Sequence, residues 1–311
     1  MMRADLLPMI LYKYLRARYA LDALTTKRLK VSTIEELNDI YDCAPSVSID
    51  GVHQREATRT FSKQVGERIG LISYTTRDNS HLMWAHYADS HRGMALGFEF
   101  SGPRDRVAGG RRIVTDPEVL KYGLMLAPVT PDARRYSRPR KITYPANNER
   151  PLVELRNVEN LQTTDEYLST IEELYSVKGP EWEYEDEWRR FLRLEEGFVT
   201  KNSGGLYFEK FDESWLRFII IGARCRKEDF DEVMKLALFG LKNVTIYKAY
   251  RHDTLNLLQR VPFECCLQFA IISPRAYWTS RNASPAASSF PQTHSASSVD
   301  RPVTSVLSVT R

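Results

Sequence analysis

Short runs of β-branched and aromatic residues recur along the chain, each bounded by glycine, proline or charge. They are MILYKYL from Met9, RLKVST from Arg28, IGLISYTT from Ile69, MALGFEF from Met94, SWLRFIIIGARC from Ser214, VTIYKAY from Val244 and FECCLQFAII from Phe263. Such runs read as strands. Helical patterns separate them: Arg18–Thr26, then SHLMWAHYADSHRG capped at Ser80 and closed by Gly93, then Val158–Lys178, then KEDFDEVMKLAL from Lys227 as a capped helix. Thr33 or Ser32 caps the turn IEELND, and NSGGLYF from Asn202 reads as a hairpin turn. Gly97, inside its strand, allows a close approach to the backbone. This interleaving predicts an α+β fold, with a mixed, largely antiparallel sheet and flanking helices.

A chain of 311 residues has ample material for a core, and 42% hydrophobic with 27% charged residues is ordinary for a globular protein. The net charge of +4 demands neither a nucleic-acid nor a membrane partner. No run approaches the roughly 18 apolar residues of a membrane span. Cys43, Cys225, Cys265 and Cys266 have no metal-ligand or disulfide spacing. A reducing, cytoplasmic setting follows. Residues 276–311 are rich in Ser, Ala and Pro and read as a disordered tail, leaving a single globular domain over 5–275. Residues 101–150 carry eleven Lys or Arg against five acids, and 151–200 reverse the balance with thirteen acids against five bases. The densest basic part, Ala133–Lys141, has only Tyr136 as an interleaved aromatic. It reads as a solvated loop paired with the acidic region, with nucleic-acid contact as the alternative.

The stretch WEYEDEWR (Trp182–Arg189) concentrates the chemistry. As a strand, it places Glu183, Glu185, Glu187 and Arg189 on one face and Trp182, Tyr184 and Trp188 on the other. Three carboxylates on one side of a pleat repel each other, which suits solvent or a cleft with a use for them. As a helix it would scatter both the acids and the aromatics. The ordinary alternative makes Glu185 and Glu187 exposed partners of Arg189, Arg190 or Lys178. His81, His86 and His91 recur every five residues. That spacing turns them to different helix faces, whereas metal pairs prefer i, i+4. No metal is expected, and His86 is instead a candidate acid–base group, set against a structural histidine bound to a carbonyl. Asn38, Asp39 and Asp42 cluster in a turn that can hold a ribose or simply fix its own backbone. P-loop, dinucleotide-fold, nucleophile-elbow and zinc-protease motifs are missing from the sequence.

LYKY (Leu11–Tyr14), RLKVSTIEELNDIYDC (Arg28–Cys43), MWAHYADSHRGMALGFEF (Met83–Phe100), WEYEDEWR and FIIIGARC together resemble a bacterial family of unknown function, DUF2971. The family's Phe-Asn-Asp-Pro-Phe stands here as Leu37, Asn38, Asp39, Ile40 and Tyr41, a departure that loosens the turn by losing its proline.

The Glu-x-Glu pattern is similar to the acidic motif of ADP-ribosyltransferases. There one glutamate holds the nicotinamide-ribose hydroxyls and the other orients the acceptor nucleophile. On that likeness Glu187 takes the first role and Glu185 the second. Lys13 or Tyr14 on the early strand meets the cofactor, Lys13 as a point charge for a pyrophosphate. Asn38, Asp39, Trp84, Tyr87 and Arg189 complete the expected cofactor side, and Glu187, Glu185 and His86 the catalytic side. The resemblance thus implies an NAD-dependent enzyme acting on protein or nucleic acid in defence or toxicity. Two other expectations stand beside it: a non-enzymatic ligand-sensing or protein-interaction domain, and a metal-dependent nuclease built on Asp39, Asp42, Glu185 and Glu187.

Overall fold

A computed structural model describes residues 8–100, 107–108, 111–112, 139–154, 165–195, 197, 199–241 and 243–263. Alternation in MILYKYL gives strand β1 (Met9–Leu15), whose Leu11, Tyr12 and Tyr14 are buried. Helix α1 (Ala17–Thr26) turns back through Lys27 in the left-handed region, and β2 (Arg28–Thr33) follows. A 3-10 turn at Ile34–Glu36 is closed at its start by a Thr33–Glu36 capping box, so of the two expected caps it is Thr33 that serves. Then come β3 (Ser46–Ile49), β4 (Val52–His53), α2 (Arg55–Gly66), β5 (Ile69–Thr75), α3 (His81–Tyr87) and β6 (Met94–Phe100). Two two-residue strands, β7 (Val107–Ala108) and β8 (Arg111–Arg112), pair with each other. The rest are β9 (Arg140–Lys141), β10 (Leu152–Glu154), α4 (Asp165–Leu174), β11 (Glu187–Arg193), β12 (Val199–Lys201), β13 (Tyr207–Lys210), β14 (Leu216–Ile221), α5 (Lys227–Gly240), β15 (Thr245–Arg251) and β16 (Leu258–Pro262).

The strands build one large mixed sheet in the order β12-β13-β2-β5-β1-β6-β14-β15-β16, with β11 on β5 and β9 on β11. Its pairs are antiparallel except β14 with β15. A smaller sheet, β10-β3-β4, holds a parallel pair, β3 with β10. The α+β expectation with a largely antiparallel sheet is met. Strand β5 is the branch point. Along one edge β11 pairs with it from Ile69 to Thr75, and the other edge is divided between β2 at Gly70 and Leu71 and β1 at Thr75.

Two apolar clusters hold this arrangement. One packs Phe61 and Val65 of α2 and Ile171 of α4 against Ile69, Leu71 and Phe191. The other packs Trp84 of α3 against Tyr12, Tyr14, Ala95 and Ile220. The close approach expected at Gly97 is made by side chains, since a Cβ there would lie 3.0 Å from both Tyr12 and Phe218.

Several expectations are corrected. Helix α3 begins at the Ser80 cap, but it ends at Tyr87 rather than Gly93, because Asp89, Ser90 and His91 all take positive φ. His91 is therefore off the helix. WEYEDEWR is not one strand. Pro180–Glu185 form a 3-10 turn, Asp186 is left-handed, and the strand starts at Glu187. Pro180 at the first position of that turn favours the helical start over an extended run. Helix α4 ends at Leu174, short of Lys178, and no side chain caps α5. The hairpin at Asn202 stands as expected, with Gly205 at φ 82°. All the described residues fall within one unit, residues 1–265. The FECCLQFAII strand beyond Phe263, the expected boundary at 275 and the expected tail lie outside the described residues, as do residues 101–106, 109–110 and 113–138 of the basic segment and residues 158–164 of the predicted Val158–Lys178 helix.

Candidate functional site

The turn at Asp186 decides the site. Asp186 sits at φ 42°, ψ 53°, and its carboxylate meets Thr76 and, at 3.1 Å, Lys141. Those hydrogen bonds and the Lys141 charge outweigh its partial burial and pull its pKa down. The bend turns the Glu185 carboxylate towards that of Glu187. The chain on either side is fixed: Thr75 Oγ1 donates to the Glu185 carbonyl at 2.5 Å, and the Glu187 N–H donates to the Tyr144 hydroxyl at 2.9 Å.

The two carboxylates are buried, and they meet Asp42, Lys178 and Arg189, which are buried too. Lys178 Nζ lies 2.6 Å from Glu185, 3.3 Å from Glu187 and 3.5 Å from Asp42. Arg189 uses every N–H it has. Nε donates to Glu187 Oε1 at 2.8 Å, Nη2 to Glu187 Oε2 at 2.8 Å and to Asp42 at 2.6 Å, and Nη1 to the Tyr175 carbonyl at 3.0 Å and to Cys43 Sγ at 3.1 Å. A guanidinium has five donors, and all five are matched. Burial of five charges is tolerable because they are paired and hydrogen-bonded.

The two glutamates differ in what surrounds them. Burial works against the Glu187 anion, but Arg189, and then Lys178, pull its pKa down to about 2. Burial raises the pKa of Glu185, and Lys178 does not fully offset it. Glu185 Oε1 accepts a short hydrogen bond from the Tyr87 hydroxyl, whose own pKa is raised by burial and by the Glu185 charge. Asn38 reaches the same hydroxyl. For Lys178, burial is outweighed by Glu187, Asp42 and Glu185, so the ammonium is held above its ordinary pKa. Divergent environments for two neighbouring carboxyls separate an acid–base group from a fixed anion.

A rim of rings borders the cluster. Trp182, Tyr184, His86 and Tyr87 follow one another with centroids 6.1, 6.2 and 6.3 Å apart. The Lys178 ammonium lies 4.5 Å from the Trp182 ring centre. A cavity of about 400 Å³ opens beside them, walled by Trp182, Tyr41, Asp39, Asn148 and Arg150, with Lys178 at its inner end.

Of the residues singled out by sequence, Glu185, Glu187, Arg189, Tyr87, Asn38 and His86 are gathered here, His86 as an exposed rim residue. Asp39 walls the cavity, while its carboxylate also accepts from the Tyr41 N–H at 2.9 Å, an Asx turn. Lys13 is half-buried on β1. Burial lowers its pKa to about 8, and Glu187 is the charge that pulls the other way.

Four placements are corrected. Tyr14 and Trp84 are core residues, not cofactor contacts: Tyr14 donates to the Arg77 carbonyl, and Trp84, fully buried, donates to the Asp78 carbonyl. Arg189 has no donor left for a cofactor. The expected cleft face is also altered, because Glu183 is exposed, while Trp182 and Tyr184 are part-buried on the rim. Lys178 and Asp42 are the members that the expected site omitted. The sequence offered Lys178 only as an exposed ion-pair partner of Glu185 and Glu187; the pairing is present, but buried.

Asp42, Glu185 and Glu187 converge as the nuclease reading required, but the Lys178 ammonium already occupies their meeting point. Among the described residues no three His, Cys, Asp or Glu side chains are grouped to hold a metal ion. No helix among them is long and apolar enough to cross a membrane.

Residues 83–190 match the family model described as Protein of unknown function (DUF2971), which bears out the family resemblance. That span takes in α3 from Met83 onward, the Tyr87 hydroxyl and the whole stretch from Lys178 to Arg189. No curated protein and no solved structure matches the chain, so the likeness to ADP-ribosyltransferases gains no support from a structural neighbour.

Proposed function

We propose that the DUF2971 region of this chain belongs to an enzyme in which Glu185 handles a proton at the inner end of the Trp182 cavity. The observation that carries the reading is the unequal state of the two glutamates. Glu187 is locked as an anion by Arg189, whereas Glu185 has a raised pKa and a hydroxyl partner near the rim. A buried carboxyl with a raised pKa and a hydroxyl partner is a candidate general base or acid. The key carboxylate is therefore Glu185, with Glu187 holding Lys178 and Arg189 in position.

The co-substrate we infer is NAD. Two features support it: the Trp182 and Tyr41 rings on the cavity wall suit a planar base, and Arg150 beside them suits a phosphate. NAD would supply an ADP-ribosyl group, its bond to nicotinamide breaking with the electron pair as an acceptor oxygen bonds to the ribose carbon. Glu185 would remove the acceptor's proton, and Tyr87 and Lys178 would hold the carboxylate for it.

The test is to incubate the protein with NAD and a cell extract and follow nicotinamide release and label transfer. Release that Glu185→Gln abolishes, with the fold intact by circular dichroism, supports the reading. Undiminished release in that variant, or none from the wild type, sinks it. A second reading, a ligand-binding module without turnover, is favoured by one fact: Glu185 is 3% exposed and both its oxygens are engaged. A rise in melting temperature with NAD and no nicotinamide release would select it.

A further inference from the structure

A second concavity, of about 630 Å³, shares the Tyr41 and Arg150 walls of the site cavity. Arg55, Arg59 and Lys63 line it from α2, four residues apart and all exposed. At 1.5 Å per residue they form a basic stripe about 12 Å long on one helix face. Glu35 is the one carboxylate lining it among the described residues. Arg59 meets Glu56 at 3.8 Å, but both are mostly in water, a pairing worth little. The stripe is rigid, because the other side of α2 buries Phe61 and Val65. At the end nearest the site, Tyr41 is 66% exposed and the Arg150 guanidinium lies 5.8 Å from its ring centre.

We propose that this groove binds single-stranded nucleic acid, the phosphodiester backbone running along Arg55, Arg59 and Lys63 and a base stacking on Tyr41. A cationic track ending at an exposed ring is what such strands use, since every base offers a flat face to stack. An acidic peptide would satisfy the cations but has no use for the ring. Because the groove and the cavity share Tyr41 and Arg150, a strand seated in the groove leads into the site. This names the acceptor class for the reaction proposed above and rests on that reading for its chemistry, though not for binding.

The experiment is fluorescence polarisation of labelled 15-nucleotide dT and rU oligomers across a salt series, with poly-glutamate as competitor. The wild type is expected to bind, and an Arg55→Glu, Arg59→Glu, Lys63→Glu variant to bind at least tenfold more weakly. Each lost phosphate contact lowers the salt slope by about 0.7, so the slope should fall by about 2. Tyr41→Ala should weaken binding while leaving the slope unchanged. Thermal melts check that each variant folds. Oligomer binding by the triple variant within twofold of wild type overturns the proposal. So does poly-glutamate binding as tightly as the oligomers, which would make the groove an acidic-peptide site. Nicotinamide release from NAD is read in parallel. Oligomer binding without release leaves the groove and removes the chemistry, and release without oligomer binding does the reverse.

Discussion

Arg189 and Glu187, two residues apart on one strand face, are joined by two parallel hydrogen bonds of 2.8 Å, Nε to Oε1 and Nη2 to Oε2. The same guanidinium reaches back to Asp42, so one side chain ties the strand to a turn near the start of the chain. Arg189→Ala leaves Glu187 and Asp42 buried with half their counter-charge. Removing one partner of a buried pair costs about 3–5 kcal/mol. Arg189→Lys should recover little, because an ammonium cannot span five acceptors. Urea unfolding measures both, and a loss under about 1 kcal/mol for the alanine variant would refute the hub role.

Glu187 also sets an acid limit. Its folded pKa of about 2 lies below its ordinary value of 4.5. A depressed carboxyl contributes stability that is complete above the unfolded pKa and is lost as pH falls through the folded one. Wild type should lose about 3 kcal/mol between pH 5 and pH 2 from this group. Glu187→Gln, less stable at neutral pH, should show a shallower decline over the same window. Parallel slopes for the two proteins would contradict the assignment.

Lys13 also makes stability rise with pH, but at the alkaline end. Its pKa is lowered from 10.5 to about 8, so keeping it protonated in the folded state is unfavourable at neutral pH. The unfolded chain holds the proton more tightly between these values, so stability from this residue rises with pH across that window. Lys13→Met should therefore melt higher than wild type at pH 7, with the advantage shrinking towards pH 10.5. A lower melting point at pH 7 would instead reveal a contact that the ammonium makes.

Among the described residues Gly93 is the tightest glycine. A Cβ there would lie 2.0 Å from the Leu15 carbonyl oxygen, backbone that cannot swing aside. Gly93→Ala should cost more than about 2 kcal/mol, well beyond an ordinary surface change. Differential scanning calorimetry beside Gly51→Ala is a fair comparison: Gly51 has open space but a φ of 75°, so its cost is backbone strain alone.

Much of this was readable beforehand. The strands beginning at Met9 and Arg28 announce themselves by their alternation, and those beginning at Ile69 and Met94 as short apolar runs that are buried almost throughout. The Thr33 cap and the Asn202 turn follow from side chains that bond their own backbone. Helix α2 was missed because Phe61 and Val65 are the only large side chains it buries, too few to make a period. The acidic stretch misled for a different reason. Its alternation is real from Glu187 onward, but Asp186 adopts a left-handed bend that spacing does not encode. Membership of Glu185, Glu187 and Arg189 in one site was legible. Their burial was not, because it depends on Lys178 and Asp42 arriving from elsewhere.

The meeting of Asp42 with Arg189 spans 147 positions, and that of Thr75 with Glu185 spans 110. Closing such long loops is entropically costly and rewards the chain only once both ends are in place. The ionic cluster is thus expected to form late in folding, after the local hairpins, and a nascent chain released before Arg189 emerges would hold Asp42 without its partner. Competence at the site then arrives all at once, as a property of the finished chain rather than of any segment within it.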